Sequence, residues 1–600
     1  YLHNLFYLCY ILTMSQNSKT PKFDILIGDI LKNLVPHMRS CKWQGEHKYC
    51  EWEFEVTGED ILFLKMFRVP PPNYCPTCRR MRRLTYASIF QFFQIKCQAP
   101  NHEETMLSVF SKECPFPVYD YKYFISDEFD PFSFGNKYKI DKSPLEQFWE
   151  FRKKFPVPSL LNRDPSCINS EYSSGGRNLK NGYYVSGCYG SENIWYSTMI
   201  VKSKEIMDSS RIEKSEYVYE GFASKNIYKS SFIYFSHDSM DSMFLFDCKN
   251  CNDCFGCVNL RNQKYCVFNK QLSKKDYESF LCSIYSKNKS ITRNKIKEYE
   301  KKFWVLVKSL PMNASRNIAV ENVSGVLLNN AKNIFDVNFS ENSENIRHSD
   351  GALGHKDSMD VLYSGSSELL YEVSNVGSNS SMVKFSIYSK FSTDSEFLFN
   401  CKNVSNCFMC FGLQNKSFCV LNIQYSPEEY FSLLDEIKTK MMQSGEYGDG
   451  LGLEFSPQAY NFSLGQISFL LTDAEIIKLG GYLAKIPESN AGDSKLLSME
   501  EIPQTIEEAS DDIINFGIKC EKTGRPFRIT ASELKFLRNM KLPLPTIHPT
   551  FRMQSRLLLA PVAKQYSTQC AKCGKSIFSI FDPKENYILY CEKCYQREVY

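Results

Sequence analysis

The sequence predicts a mainly β fold: a duplicated parallel β-solenoid with helical caps, flanked by two homologous small zinc-ribbon modules. Three observations predict it. The middle of the chain repeats itself, its two ends repeat each other, and short apolar anchors recur in the middle without a helical period.

The central repeat comes first. FLFDCKNCNDCFGCVNLRNQKYCVFNKQLSKKDY, from Phe244, returns as FLFNCKNVSNCFMCFGLQNKSFCVLNIQYSPEEY, from Phe397, without a gap at an offset of 153. Upstream the offset is 152: SENI at 191 returns at 343, and SEYVYE at 215 returns as SELLYE at 367. Within each copy, anchors such as Ile194, Ile206, Val218 and Ile227 follow Ser, Asn or a charged residue, roughly every 9–13 residues. Short strands joined by tight polar corners fit this pattern. Two such segments per coil would give about 20–25 residues per turn, as in a parallel β-solenoid. Two ordinary β-sandwiches are the competing architecture. SKKDYESFLCSIYS and SPEEYFSLLDEIKTKMM each open on Ser with acids in the first turn, a helix-capping arrangement at the end of each half.

The ends repeat as well. FEVTGEDILFLKMFRVPPPNYCPTCRRMRRL (54–84) aligns without a gap to FRITASELKFLRNMKLPLPTIHPTFRMQSRL (527–557), and Cys97 then falls on Cys570. The end module thus had two successive Cys-pair sites, and the copies kept different ones. In the N-terminal copy the first site survives as His47-x2-Cys50 and Cys75-x2-Cys78, while the second retains Cys97 beside Pro100, Asp120 and Tyr123. In the C-terminal copy Cys520 and His548 remain of the first site, beside Thr523 and Phe551. The second is complete as Cys570-x2-Cys573 and Cys591-x2-Cys594. Tetrahedral zinc needs four ligands at once, which explains loss in groups. Two structural Zn2+ ions are expected, one on His47, Cys50, Cys75 and Cys78 and one on Cys570, Cys573, Cys591 and Cys594. Alignment with Cys520 favours His47 as the fourth N-terminal ligand; Cys41 is the alternative. In modules this small, the metal supplies much of the folding energy.

The layout is then an N-terminal extension (1–39), a zinc-ribbon module with its first site intact (40–125), a connecting segment (126–164), solenoid half 1 with its helices (165–310), solenoid half 2 with its helix (311–445), an irregular linker (446–515) and a zinc-ribbon module with its second site intact (516–600). Residues 1–13 read as an over-extended reading frame, with Met14 as the start. Twenty-four cysteines in 600 residues are too sparse for a disulfide scaffold, and the apolar first residues lack a charged n-region. A reducing, cytoplasmic setting is expected. No uncharged apolar run reaches membrane-spanning length, so no membrane partner is expected.

A long run of cysteines invites a cluster. Cys248, Cys251, Cys254 and Cys257 are three residues apart and Cys266 follows, a spacing close to iron–sulfur runs. Against the second copy, Cys248, Cys254, Cys257 and Cys266 meet Cys401, Cys407, Cys410 and Cys419, but Cys251 meets Val404. Valine cannot ligate metal, whereas a small inward core position accepts either residue. Core is the leading reading, and a metal site on the four retained cysteines the alternative.

Function is less marked. Lys plus Arg (72) nearly balances Asp plus Glu (68), which argues against wrapping long nucleic acid. A local basic run, Arg79, Arg80, Arg82 and Arg83, follows the N-terminal knuckle and precedes the aromatics of YASIFQFFQ. Arginines on a knuckle can bind phosphates and aromatics can stack bases; the other reading pairs these arginines with the acids of EWEFEVTGED. There are eight histidines; none of the three in the solenoid sits near a nucleophile pair, and the lack of a P-loop, GxGxxG or HExxH string leaves no catalytic residue assigned. His237, His348 and His355 read as corner or surface residues. The leading function is a non-enzymatic zinc-binding scaffold or interaction protein whose partner is protein or nucleic acid. The alternative is a carbohydrate-active enzyme with its groove on the solenoid.

VPPPNYCPTCRRMRRL, CKNCNDCFGCVNLRNQKYCVFNKQ and YCEKCYQREV resemble an uncharacterised family of zinc-ribbon, Cys-rich β-solenoid proteins of candidate-phyla bacteria and large DNA viruses. The resemblance covers most of the chain from about residue 40 onward. It implies zinc binding, brings no established activity, and opens the virion or viral factory as a location. This chain departs from the family at Pro100, Asp120, Tyr123, Thr523, His548 and Phe551.

Overall fold

From Gly175 to Phe268 every third residue has a positive φ. The structure, a computed structural model, describes residues 18–88, 91–161, 164–285, 290–487, 495–560 and 563–599; the start at Met14 lies outside them. Left-handed backbone suits Gly, Asn and Asp best. Gly187, Asn193, Asn226, Asp238 and Asn250 occupy it here, but so do Tyr196, Lys202 and Phe232. The recurrent bend closes one coil in four triplets. The next coil stacks on it, so residues pair in parallel twelve positions apart: Ile194 with Ile206, Ile206 with Val218, Leu245 with Cys257. The stacked hydrogen bonds hold bulky residues in a backbone region they would otherwise avoid.

Twelve residues per coil replaces the 20–25 expected, because each anchor spacing is a whole coil rather than half of one. The reason lies in serine. Ser203, Ser209, Ser215 and Ser236 are buried and inward, not solvent-facing corners. Ser209 Oγ donates to Met207 O at 2.9 Å and accepts the Gly221 N–H, one coil on, at 2.9 Å. Ser203 Oγ does the same with Val201 O (2.8 Å) and the Ser215 N–H (3.1 Å). A buried hydroxyl satisfied in both roles costs little, so serine shares the core with Ile, Val and Leu. On the outside, Asn181 Nδ2 donates to Asn193 Oδ1 (2.8 Å), and Asn193 Nδ2 to Glu205 Oε1 (2.7 Å).

The second stack repeats the design with one dislocation. Glu368 pairs with Ser381 and Leu370 with Val383, thirteen apart, before Ser381 pairs with Thr393 at twelve. Ser378 and Asn379, both left-handed, absorb the extra residue. This is where the repeat offset steps from 152 to 153. Each stack ends in an antiparallel return, Cys266 with Gln271 and Cys419 with Gln424. A helix follows each return, Lys274–Ile284 or Pro427–Ser444, with Ser273 or Ser426 accepting an N–H of the first turn. Strand makes up about 34% and helix about 26% of the structure; the β character is concentrated in the stacks.

The stacks meet at equivalent positions. Arg211 of the first lies 4.8 Å from the Phe339 ring of the second and faces the Tyr363 hydroxyl electrostatically. Position 363 is position 211 moved on by 152. The two halves thus approach each other where equivalent positions of the repeat lie close, as they would in an isologous pairing.

The stretch expected as an irregular linker is built into this body over 446–487. It carries the short helices Leu464–Ser468 and Asp473–Lys478 and buries Leu453, Tyr460 and Ile476. Asp449 accepts from Asn73 N–H (3.0 Å) and Nδ2 (2.7 Å), tying the stretch to the N-terminal module. Among the described residues, no helix is long and apolar enough to cross a membrane.

Candidate metal centres

In the N-terminal module, the Sγ atoms of Cys41, Cys50, Cys75 and Cys78 all lie within 4.8 Å of one another, and all four residues are buried. The antiparallel strands His37–Ser40 and Glu53–Val56 bring Cys41 and Cys50 together. Cys75 is the N-cap of the helix Pro76–Leu84, and Cys78 lies in its first turn. Cys75 N–H donates to Cys41 Sγ at 3.3 Å and Cys78 N–H to Cys75 Sγ at 3.4 Å. The neighbouring Cys75 and Cys78 thiols hold the Cys41 pKa far below the usual thiol range. Cys75 is raised, chiefly because its proton is engaged with Cys41.

The group that could hold an ion is therefore completed by Cys41 rather than by the expected His47. His47 Nε2 sits 3.3 Å from Cys78 Sγ, beside the four-thiol group, and its Nδ1 accepts the Tyr49 N–H at 3.2 Å. The gap-free alignment misplaced it because the N-terminal copy carries a longer loop between its first two cysteines. Cys520 Sγ accepts the His548 N–H at 3.2 Å, the bond Cys41 makes with Cys75. Since His548 corresponds to Cys75, Cys520 corresponds to Cys41.

At the other end, the Sγ atoms of Cys570, Cys573, Cys591 and Cys594 also lie within 4.8 Å; Cys573 is exposed and Cys591 half-buried. Cys591 N–H donates to Cys570 Sγ at 3.3 Å, again the same bond. Burial pushes the Cys570 thiol up, but the backbone N–H groups of Cys591, Cys573 and Lys572 outweigh it and bring the pKa to about 6. Four thiols on two knuckles, with N–H donors aimed at sulfur, are a donor set for a tetrahedral structural ion such as zinc. The module is fastened to the segment that joins the two stacks, where Ile588–Tyr590 pairs with Pro311–Asn313, and to the first stack, where Tyr595 Oη donates to Asp247 Oδ2 at 2.9 Å.

The basic run is not a surface. Arg79, Arg80, Arg82 and Arg83 are only 1%, 6%, 2% and 3% exposed. Their helix is pressed onto the second stack, where Arg79 Nε meets Asp360 Oδ2 (2.9 Å) and Arg83 Nη1 meets Asp360 Oδ1 (2.7 Å). Arg80 meets Asp350 (2.8 Å) and Asp336 (3.2 Å). Arg82 lies over Tyr74 and donates to Gly450 O. The local acids of EWEFEVTGED are not the partners either. Asp60, from that segment, pairs with Arg347 (2.7 Å) and His348 (3.2 Å) of the stack.

The C-terminal module docks on the first stack in the same way. Arg552 and Arg556 correspond to Arg79 and Arg83; both pair with Asp208, and Arg556 with Glu220 (3.1 Å). Asp208 and Glu220 are the first-stack equivalents of Asp360 and Glu372. Glu533, the counterpart of Asp60, accepts from Tyr196 Oη at 3.2 Å, where the second stack has His348. These acids were missed because each looks solitary in its own segment. A signal was present for two of them: Asp208 and Glu220 recur as Asp360 and Glu372 at the offset of 152.

The stack cysteines fall on inward positions. Cys248, Cys251, Cys254 and Cys257 are the four inward residues of one coil, and Cys266 sits in the next. Cys401, Cys407, Cys410 and Cys419 repeat this with Val404 at the remaining corner. Their thiols take the hydrogen bond that serine takes, as Cys254 Sγ does to Asn252 O at 3.3 Å. His348 and His355 are buried rather than at the surface, and His355 points into the second stack.

No family model and no curated protein matches this chain. Among solved structures, a "putative acetyltransferase from Desulfovibrio desulfuricans G20" aligns at 11% identity, over 39% of this chain and 63% of that one. The aligned part spans less than two thirds of that protein, and its TM-score of 0.10 carries no argument about fold or activity.

Proposed function

We propose that the protein is a non-enzymatic scaffold: two β-solenoid halves facing each other across a pseudo-two-fold axis, held by two zinc-ribbon modules that act as clamps. The observation that carries this reading is the paired docking. Arg79 and Arg83 reach Asp360 from one module, and Arg552 and Arg556 reach Asp208 from the other. In the N-terminal clamp, the helix that carries the arginines starts on a thiol of the four-cysteine group, so an ion there would fix the helix at its root. The partner is read as a protein bound along the outer face of the stacks. Burial of the arginines removes the surface that favoured nucleic acid. A groove of about 790 Å³ on the first stack includes Lys180, Glu192, Lys204 and Glu216. Its acids alternate with lysines, Lys180 lying 3.1 Å from Glu192, which favours a paired surface over a carboxylate catalytic pair.

Amide exchange on the full-length protein before and after dialysis against a zinc chelator tests the clamp. The helix Pro76–Leu84 should lose protection while the inward amides of the stacks keep theirs. Unchanged exchange in that helix after the zinc has been removed would refute the reading.

A further inference from the structure

We infer that the N-terminal module carries a third metal site, for a divalent ion of the zinc type, on Cys97, His102 and Glu104. The inference does not depend on the two four-cysteine groups. It starts from the frame of the site whose thiols were lost. The hairpin Phe93–Lys96 with Thr105–Ser108 matches Tyr566–Gln569 with Ser576–Ser579 in the other module. Cys97 follows the first strand as Cys570 follows its own. Asp120 N–H donates to Cys97 Sγ at 3.2 Å, as Cys591 N–H does to Cys570 Sγ. The half of the site that poises the first sulfur is therefore intact.

The other donors have been replaced. Pro100, Asp120 and Tyr123 stand where thiols stood, yet the hairpin loop supplies His102 and Glu104. The ligand atoms of Cys97, His102 and Glu104 all lie within 4.8 Å of one another. Cys97 is buried, and the His102 ring lies 4.5 Å from the Tyr123 ring, which limits its swing. His102 Nδ1 and Glu104 Oε1 are 2.9 Å apart. Asp120 is not a fourth ligand by this geometry, because its Oδ1 accepts the Lys122 N–H (2.8 Å) and the Tyr123 N–H (3.4 Å).

Thiolate, imidazole and carboxylate are all zinc ligands, and a three-ligand set leaves one coordination position for water or an incoming donor. Such a site holds its ion less tightly than four thiolates do and exchanges it more readily. The duplication thus yields two closed sites and one open one.

Equilibrium dialysis of the full-length protein against Zn2+ tests this, with bound zinc counted per chain. The parent should bind one equivalent more than His102→Ala, and a mild chelator should strip that equivalent first. Glu104→Gln, a change at an exposed side chain that leaves the fold alone, should weaken the same equivalent by about 10-fold or more. Equal zinc counts for parent and His102→Ala, or an unchanged affinity in Glu104→Gln, would overturn the inference.

Discussion

Asp208 and Asp360 are the same residue of a duplicated stack, and each receives two arginines from a different end of the chain. Arg83 Nη1 lies 2.7 Å from Asp360 Oδ1, and Arg556 Nη2 lies 2.9 Å from Asp208 Oδ1. The N-terminal module thus docks on the distant half and the C-terminal module on the half nearer the chain start. Removing one member of a buried ion pair strands the other, which costs about 3–5 kcal/mol. Asp360→Ala should release the helix Pro76–Leu84, and Asp208→Ala the helix Pro549–Leu557, each without loosening the other. Limited proteolysis with fragment mapping checks this; cleavage at the wrong end in either variant contradicts independent docking.

The same interfaces should respond to pH. Glu372 and Glu220 are equivalent, and burial pushes both up to about 7, with Arg82 and Arg556 the strongest opposing cations. A carboxyl whose folded pKa exceeds its unfolded value near 4.5 adds stability that is complete below 4.5 and lost as pH rises to 7. The effect is on the order of 3 kcal/mol per glutamate. His355 opposes it. Burial lowers its pKa to about 4, partly offset by the Ser364 backbone, so its contribution is present above 6.5 and fades as pH falls. Glu372→Gln should therefore make stability less dependent on pH between 4.5 and 7, and Glu220→Gln should do likewise. Urea denaturation at several pH values reads the slope, and an unchanged slope in both variants argues against buried, protonated carboxyls.

Inside the stacks, sulfur is exchangeable and serine is not. Cys251 has Val404 as its counterpart, so Cys251→Val should cost less than about 1.5 kcal/mol. Ser209→Ala instead leaves the Gly221 N–H without its acceptor, at about 1–3 kcal/mol. Thermal melts distinguish the two. A Cys251→Val variant that loses metal or unfolds would restore the cluster reading of that run.

Much of this was legible because duplication exposes what is constrained. The repeat offsets were readable directly, and the step from 152 to 153 has a physical site at Ser378 and Asn379. The coil length was not legible from the apolar anchors, because inward serine looks like a polar corner until its two hydrogen bonds are seen. The cysteine run had displayed the period openly: residues 248, 251, 254 and 257 are three apart because inward positions are. The arginine cluster misled for a different reason. Charge in a sequence reads as surface, and the acids that bury Arg79 and Arg83 lie some 280 residues away. His47 misled because an alignment without gaps cannot show that a loop lengthened between Cys41 and Cys50.

The central claim is that each four-cysteine group holds one tightly bound zinc and that Cys41 belongs to the first. The direct measurement is zinc retained per full-length chain after mild chelation, compared across Cys41→Ser, His47→Ala and Cys570→Ser. Cys41→Ser and Cys570→Ser should each lose one equivalent, and His47→Ala should keep both. Retention of the parent zinc content by Cys41→Ser, or loss of one equivalent in His47→Ala, would contradict the site as described; unchanged zinc in all three variants would contradict the metal clamps altogether.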